Sequence, residues 1–273
     1  MRKYLVIAAL LLLAACGKSD GNAWLGYAEG DNAFISAPQP GWVSSLHVER
    51  GTLVHRGDLL FTLDDTTQKA TRDQAEASLA TAKASLSQEQ ANLIYTRTQL
   101  QRQSGLARAR AGTAANLDLA KSNYEQSAAR VAQLESQIQQ MQASLTGANY
   151  SLSQRDVVSQ TEGRVQDIYF RTGEYVPAST PVISILPPKN IYVRFFVPET
   201  EFDKVHIGER VRITCDGCKP VDATITFIAQ QQEFTPPVIF SEGVREKLVF
   251  KLEARGPGGL KLNPGQPVQV RPL

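Results

Sequence analysis

Apolar positions along the chain follow three different rhythms. Between residues 34 and 65 they alternate in steps of two, with Val43, Leu46 and Val48 apolar and glycines between short runs, the pattern of half-buried strands joined by tight turns. From residue 66 onward the rhythm changes to seven. Leu79, Leu86, Leu93 and Leu100 recur at that interval with Ala75 and Ala82 beside them, and no glycine or proline interrupts residues 66–104. After a break at residues 105–112 a stronger row appears: Leu117, Tyr124, Val131, Ile138, Leu145 and Leu152, with Ala120, Ser127, Leu134, Met141 and Ala148 three positions after members of it. This two-position heptad predicts an antiparallel pair of long helices packed along one narrow seam, with Gln, Ser, Ala, Lys and Glu left on the other faces. Asp65 followed three residues later by Gln68 is a capping-box start for the first helix. Alternation by two then resumes.

The strand segments on either side of the helices are copies of one another. Gly41, Val43, Leu46, Val48 and Gly51 return 122 residues later as Gly163, Val165, Ile168, Phe170 and Gly173. In the same register Val54, Leu60, Phe61 and Leu63 correspond to Val176, Val182, Ile183 and Ile185. One such half is too small to close a core, whereas two can bury one face against each other and let the helical insertion project. Pro187 and Pro188 mark the end of the second copy. Beyond them, strand patterns at residues 191–197, 209–215, 221–229, 246–253 and 267–270, with one helical turn after Pro198, predict a small antiparallel barrel.

This arrangement resembles the split lipoyl domain, helical hairpin and β-barrel of HlyD-type periplasmic adaptors, also called membrane fusion proteins. The fold expected is mixed β and α: a split lipoyl-like β-sandwich interrupted by a long coiled-coil hairpin and followed by a small barrel. The expected divisions are a signal peptide at 1–15, a lipidated segment at 16–33, half-motifs at 34–65 and 156–188 around the hairpin at 66–155, and the barrel at 189–273. The barrel resemblance includes Phe234-Thr235-Pro236-Pro237 and the Leu248-Val249-Phe250 strand. A fourth, membrane-proximal domain found in many relatives is expected to be absent or reduced.

The amino terminus fits this picture. Arg2 and Lys3 precede an apolar run at residues 5–13, which is shorter than the roughly 20 residues of a membrane-spanning helix. Leu13-Ala14-Ala15-Cys16 resembles a bacterial lipobox and implies cleavage before Cys16 and lipid attachment to its sulfur, placing the protein on a periplasmic membrane surface. The adaptor resemblance favours the inner membrane. Gly17, in the place of an inner-membrane retention aspartate, leaves the outer membrane open. Removing Arg2 and Lys3 from the 29 basic residues leaves 27 against 27 acidic ones, a balance that argues against nucleic acid as a partner.

Candidate chemistry is sparse. Cys215-Asp216-Gly217-Cys218 places two cysteines across a turn-forming Asp-Gly pair, which suits a disulfide in an oxidising periplasm, with a redox pair or half of a zinc site as the competing readings. Lys69 is the lysine closest after the first half-motif, but it falls inside a helix and lacks the flanking pattern of a lipoyl or biotinyl carrier turn, so no cofactor is expected. His47, His55 and His206 are scattered, and three His with two Met are too few for a metal exporter. No nucleophile triad, phosphate loop or carboxylate pair is present, which points to a non-enzyme.

At the hairpin tip the resemblance implies contact with a TolC-like outer-membrane channel through Arg-Leu, six residues, Ser, then Leu-Asp. Leu106, Thr113, Leu117 and Asp118 fit that pattern, Thr replacing Ser. Gly105 occupies the arginine position, with Arg102, Arg108 and Arg110 nearby. The resemblance further implies an inner-membrane transporter as partner, ABC-type rather than a proton-driven RND pump, and self-assembly into a hexamer. The alternatives are a periplasmic coiled-coil spacer or signalling lipoprotein and an acyl-carrier or redox protein.

Overall fold

The computed structural model describes residues 23–234 and 248–273. Cys16, the expected signal peptide at 1–15 and Thr235-Pro236-Pro237 lie outside the described residues. The chain folds into a two-sheet sandwich, a helical hairpin and a closed barrel.

The sandwich is built from strands β2 (Ala33–Ser36), β3 (Gly41–Leu46), β4 (Leu53–Val54) and β5 (Leu59–Leu63) of the first copy, and β6 (Asp156–Val158), β7 (Gly163–Ile168), β8 (Tyr175–Val176) and β9 (Pro181–Leu186) around the second. One sheet runs β2-β9-β7-β4 and the other β6-β5-β3-β8, so each copy lends strands to both sheets. The sequence repeat is also a repeat of register. Val43↔Leu63, Ser45↔Thr62 and Leu46↔Phe61 recur as Val165↔Ile185, Asp167↔Ser184 and Ile168↔Ile183, each with a bulge after the first pair. Gly41↔Val176 and Trp42↔Tyr175 recur as Gly163↔Val54 and Arg164↔Leu53. A pseudo-twofold axis therefore relates the halves, and Leu60, Phe61, Leu63, Val182, Ile183 and Ile185 meet in one fully buried core. Neither half could bury that surface alone.

Helices α1 (Thr66–Arg108) and α2 (Ala114–Ser153), of 43 and 40 residues, form the hairpin. At about 1.5 Å per residue it extends roughly 60 Å from the sandwich. Its start differs from the capping box expected at Asp65, whose side chain makes no cap hydrogen bond and pairs instead with Lys69 at 2.8 Å. Asp64 serves there: its Oδ1 accepts from the Thr66 hydroxyl at 2.7 Å and the Thr66 N–H at 3.3 Å. Those bonds hold the Asp64 carboxyl below its usual range. The helix also runs through Gly105, so the break is confined to residues 109–113.

The barrel has the order β1-β10-β13-β12-β11-β14. Strands β10 (Ile191–Pro198), β11 (Arg210–Thr214), β12 (Val221–Phe234), β13 (Leu248–Arg255) and β14 (Pro267–Pro272) follow the second half-motif, with the short helix α3 (Glu199–Phe202) after β10. The sixth strand corrects the expectation that the barrel is confined to 189–273: β1 (Trp24–Gly30), within the segment assigned to the lipidated terminus, pairs with β10 and β14. Trp24 stacks on Phe195 at 5.7 Å, and Gly26 lets the strands approach, since a Cβ there would lie 2.3 Å from the Arg194 carbonyl. Among the described residues no helix is long and apolar enough to cross a membrane.

Candidate docking surface at the hairpin tip

The tip forms because α1 ends in a tightened turn and α2 begins with a capped one. The Ala109 N–H donates to the Gly105 carbonyl at 3.0 Å, Arg110 N–H to Ala107 at 3.0 Å and Ala111 N–H to Leu106 at 2.9 Å. Arg110 takes φ 55°, a left-handed conformation that costs a non-glycine residue about 1–2 kcal/mol. Thr113 starts α2 by accepting the Asn116 N–H on its hydroxyl at 3.2 Å. Gly112 fits against Leu106, where a Cβ would sit 3.1 Å from the leucine Cβ.

The structure gathers Leu106 and Thr113 on this tip, both exposed, the leucine at 39 %. Leu117 is half-buried in the seam and Asp118 faces solvent one turn into α2. Pattern reading missed Leu119, which is 61 % exposed and shares an open groove with Tyr95, Gln99 and Asn116. Its signal was available: it is an apolar residue out of phase with the heptad.

Charge is distributed unevenly along the shaft. Between residues 66 and 93, Lys69, Arg72 and Lys83 balance Asp73, Glu76 and Glu89. Between 94 and 123, Arg97, Arg102, Arg108, Arg110 and Lys121 stand against Asp118 alone. Arg108 donates to Ser104 within its own helix, and Lys121 reaches Glu125 at 3.9 Å. An excess of cations and exposed leucines at the end of a stiff arm can dock a partner but supply no reacting group.

The other residues singled out from sequence lie elsewhere. Cys215 and Cys218 are joined by a disulfide, with Cα atoms 5.4 Å apart. The Asp216-Gly217 pair does form a four-residue turn, closed by the Cys218 N–H on the Cys215 carbonyl at 3.2 Å with Gly217 at φ 78°, but strand pairing stops at Ile213↔Val221, so the turn lies at the end of a wider loop and does not join the strands directly. His47 Nε2 lies 3.0 Å from Ser45 Oγ and 3.1 Å from Thr62 Oγ1, whereas His55 lies beside Asp58.

The seam holds one polar node that the heptad reading passed over. Glu89 follows Ala75 and Ala82 in their row, and its Oε1 accepts from Ser127 Oγ at 2.5 Å and from Asn92 Nδ2 at 2.9 Å. These bonds, the serine's above all, hold the Glu89 carboxyl below its usual range.

A sandwich carrying a helical hairpin and joined to a closed barrel is the fold of the HlyD-type membrane fusion proteins, or periplasmic adaptors. Two solved structures show this likeness at the level of fold: MacA from Actinobacillus actinomycetemcomitans, with TM-score 0.70 at 22 % identity over 91 % of this chain and 76 % of that one, and the membrane fusion protein Spr0693 from Streptococcus pneumoniae, with TM-score 0.55 at 16 % identity over 93 % and 99 %. No family model matches the chain. In sequence it is 24 % identical to a UPF0194 membrane protein of Citrobacter koseri, over 90 % of each chain. It is 23 % identical to the colistin resistance protein EmrA of Acinetobacter baumannii, over 77 % of this chain and 70 % of the relative. An uncharacterized protein of Haemophilus influenzae matches at 26 % identity over 68 % of this chain, which spans 41 % of that relative's length.

Proposed function

We propose that this protein is the periplasmic adaptor of an export system, linking an inner-membrane transporter, ABC-type, to a TolC-like outer-membrane channel. The observation that carries the reading is the hairpin: about 60 Å of coiled coil whose end combines exposed Leu106 with four arginines and one nearby acid. In this reading the sandwich is the lipoyl-like domain, Cys16 bears the lipid anchor, and the barrel and sandwich dock on the transporter. Copies assemble side by side, hexameric by resemblance, with exposed Ile94, Tyr95 and Leu119 available to neighbouring hairpins. The arginines flanking Gly105 take the place of the motif arginine. The ABC-type assignment rests on the sequence resemblance.

The test is site-specific crosslinking in the native cell from photoreactive residues at Leu106 and Thr113, with mass spectrometry of the captured species, alongside export assays of Leu106→Asp. Capture of an outer-membrane channel, and loss of export in the folded variant, are the expected results. Capture of other periplasmic proteins with no channel, or normal export by Leu106→Asp, would overturn the docking assignment and favour a coiled-coil spacer.

A further inference from the structure

The barrel and the sandwich are connected by two short strands of chain, residues 30–33 and 186–191, which run side by side and bond to each other. Asp31 N–H donates to the Asn190 carbonyl at 3.2 Å, and Asn190 Nδ2 donates to the Asp31 carbonyl at 2.8 Å. Gly259, at φ 95°, rests against this joint so closely that a Cβ would fall 2.0 Å from the Pro188 carbonyl oxygen. Short linkers at the ends of strands are where a few residues can absorb a change of angle between two packed units, as hinges do.

On the barrel side a firm polar cluster stands beside the joint. Tyr192 is buried and donates to Glu29 at 2.7 Å, while Arg194 bridges Glu29 at 2.7 Å and Glu253 at 3.1 Å. Arg255 is placed differently. Its Nη2 reaches across to Asp31 in the linker at 3.0 Å, stands 4.0 Å from Glu253 within its own strand, and its guanidinium lies over the Tyr192 ring at 4.4 Å. If the Asp31 contact opens, Arg255 keeps a carboxylate and an aromatic face, and the Asp31 side chain, 56 % exposed, passes into water. An exposed pair of this kind is weak and screened by salt. Charge stays compensated in both arrangements, as a two-position contact requires.

We infer that Arg255 is a releasable latch across the barrel–sandwich joint, holding the angle between the barrel and the hairpin-bearing sandwich through Asp31 and freeing it to change at the paired linkers when that contact opens. The geometry stands on the joint alone. Its consequence, that displacement of the barrel by a transporter is transmitted to the hairpin while the latch is closed and decoupled when it is open, rests on the adaptor reading above.

The experiment measures distance by single-molecule energy transfer in the purified full chain, with dyes on bioorthogonal residues replacing exposed Gln101 on α1 and Gln230 on β12. The wild type should give one narrow distribution at low salt that broadens as NaCl is raised. Arg255→Ala and Asp31→Asn should each give the broad distribution at low salt and lose the salt dependence, with melting temperatures close to that of the wild type. Narrow, superimposable distributions in both variants would overturn the latch. Should Arg255→Ala fail to fold, Asp31→Asn, a change confined to an exposed side chain, decides. No transporter or channel takes part, so failure here leaves the docking reading standing, and failure of channel capture leaves the latch standing.

Discussion

Ser179 occupies a position that its own counterpart shows to be wrong for serine. It sits at φ 61°, and the residue 122 positions earlier, Gly57, sits at φ 95°. Both occupy the third position of a four-residue turn closed by Asp58 N–H to His55 and by Thr180 N–H to Pro177. Both donate to the opposite half, Gly57 N–H to Ser159 at 2.8 Å and Ser179 N–H to Ala37 at 2.8 Å. A turn with positive φ at this position selects glycine. A left-handed non-glycine residue costs about 1–2 kcal/mol, and glycine gives back about 0.5–1 kcal/mol through the freedom it loses on folding. Ser179→Gly should therefore stabilise the sandwich by about 0.5–1 kcal/mol, and Gly57→Ser, which meets no steric obstacle, should destabilise it by a similar amount. Differential scanning calorimetry would read each as a shift of roughly 1–4 °C in opposite directions. Destabilisation by Ser179→Gly, or neutrality of Gly57→Ser, would refute the equivalence of the two turns and the strain assigned to Ser179.

Other substitutions probe the remaining features. Ser159 and Ser184 are both fully buried, but Ser159 Oγ donates to the Thr161 carbonyl at 2.6 Å whereas Ser184 Oγ has no partner. In urea titrations Ser159→Ala should cost about 1 kcal/mol, and Ser184→Ala should be neutral or stabilising. Because Glu89 is more acidic folded than unfolded, its contribution is present above the ordinary glutamate pKa and is lost as pH falls through the lower folded value. Helical melting followed from pH 6 downward should show this decline, and Ser127→Ala, which removes the largest cause of the shift, should flatten it. Deleting residues 79–85 together with 132–138 removes one heptad from each helix and should shorten the arm by about 10 Å in small-angle scattering while the sandwich is preserved. Deleting either segment alone should break the seam.

Much of this architecture could be read from periodicity because both signals are local and repeated. The heptad located the hairpin and placed Leu134 and Ala148 in its buried seam. The 122-residue repeat carried more than a sandwich, since strand register, bulges and turns obey it too. Strand β1 was invisible for a different reason: Gly26 and Ala28 are weak strand formers, and the segment is ordered by partners β10 and β14, more than 150 residues away. The cap moved from Asp65 to Asp64 because Asp65 had a closer use in pairing with Lys69. Glu89 was legible in hindsight as the charged member of the Ala75 and Ala82 row. The tip was readable as residues, and the one-sided charge of its last turns was legible too, since it is a count along the sequence; what the structure adds is that both helices carry those charges to the same end of the arm.

The pseudo-twofold also bears on why the hairpin and the barrel leave the sandwich where they do. Strands β5 and β6 pair through Thr62↔Asp156, and the Leu63 N–H closes on the Arg155 carbonyl at 2.9 Å, so the hairpin grows from a ladder that never loses contact between its two sides. The equivalent pair in the other half is β9 with β2, through Ser184↔Phe34, and the barrel grows from its far end. An antiparallel hairpin returns the chain to its starting point, so the long insertion adds little to the closure entropy of the sandwich. The two exits are not equally stiff. At the hairpin exit Arg155 is buried, donates to the Pro40 carbonyl at 2.9 Å, and leaves no room for a side chain at Gly41. At the barrel exit the Asp31–Asn190 hydrogen bonds and the close Gly259–Pro188 contact hold the linkers together, and the exposed Arg255–Asp31 pair is the tie there that salt can screen. A torque applied to the barrel should therefore be absorbed first at the Arg255–Asp31 pair, before it can disturb the base of the hairpin.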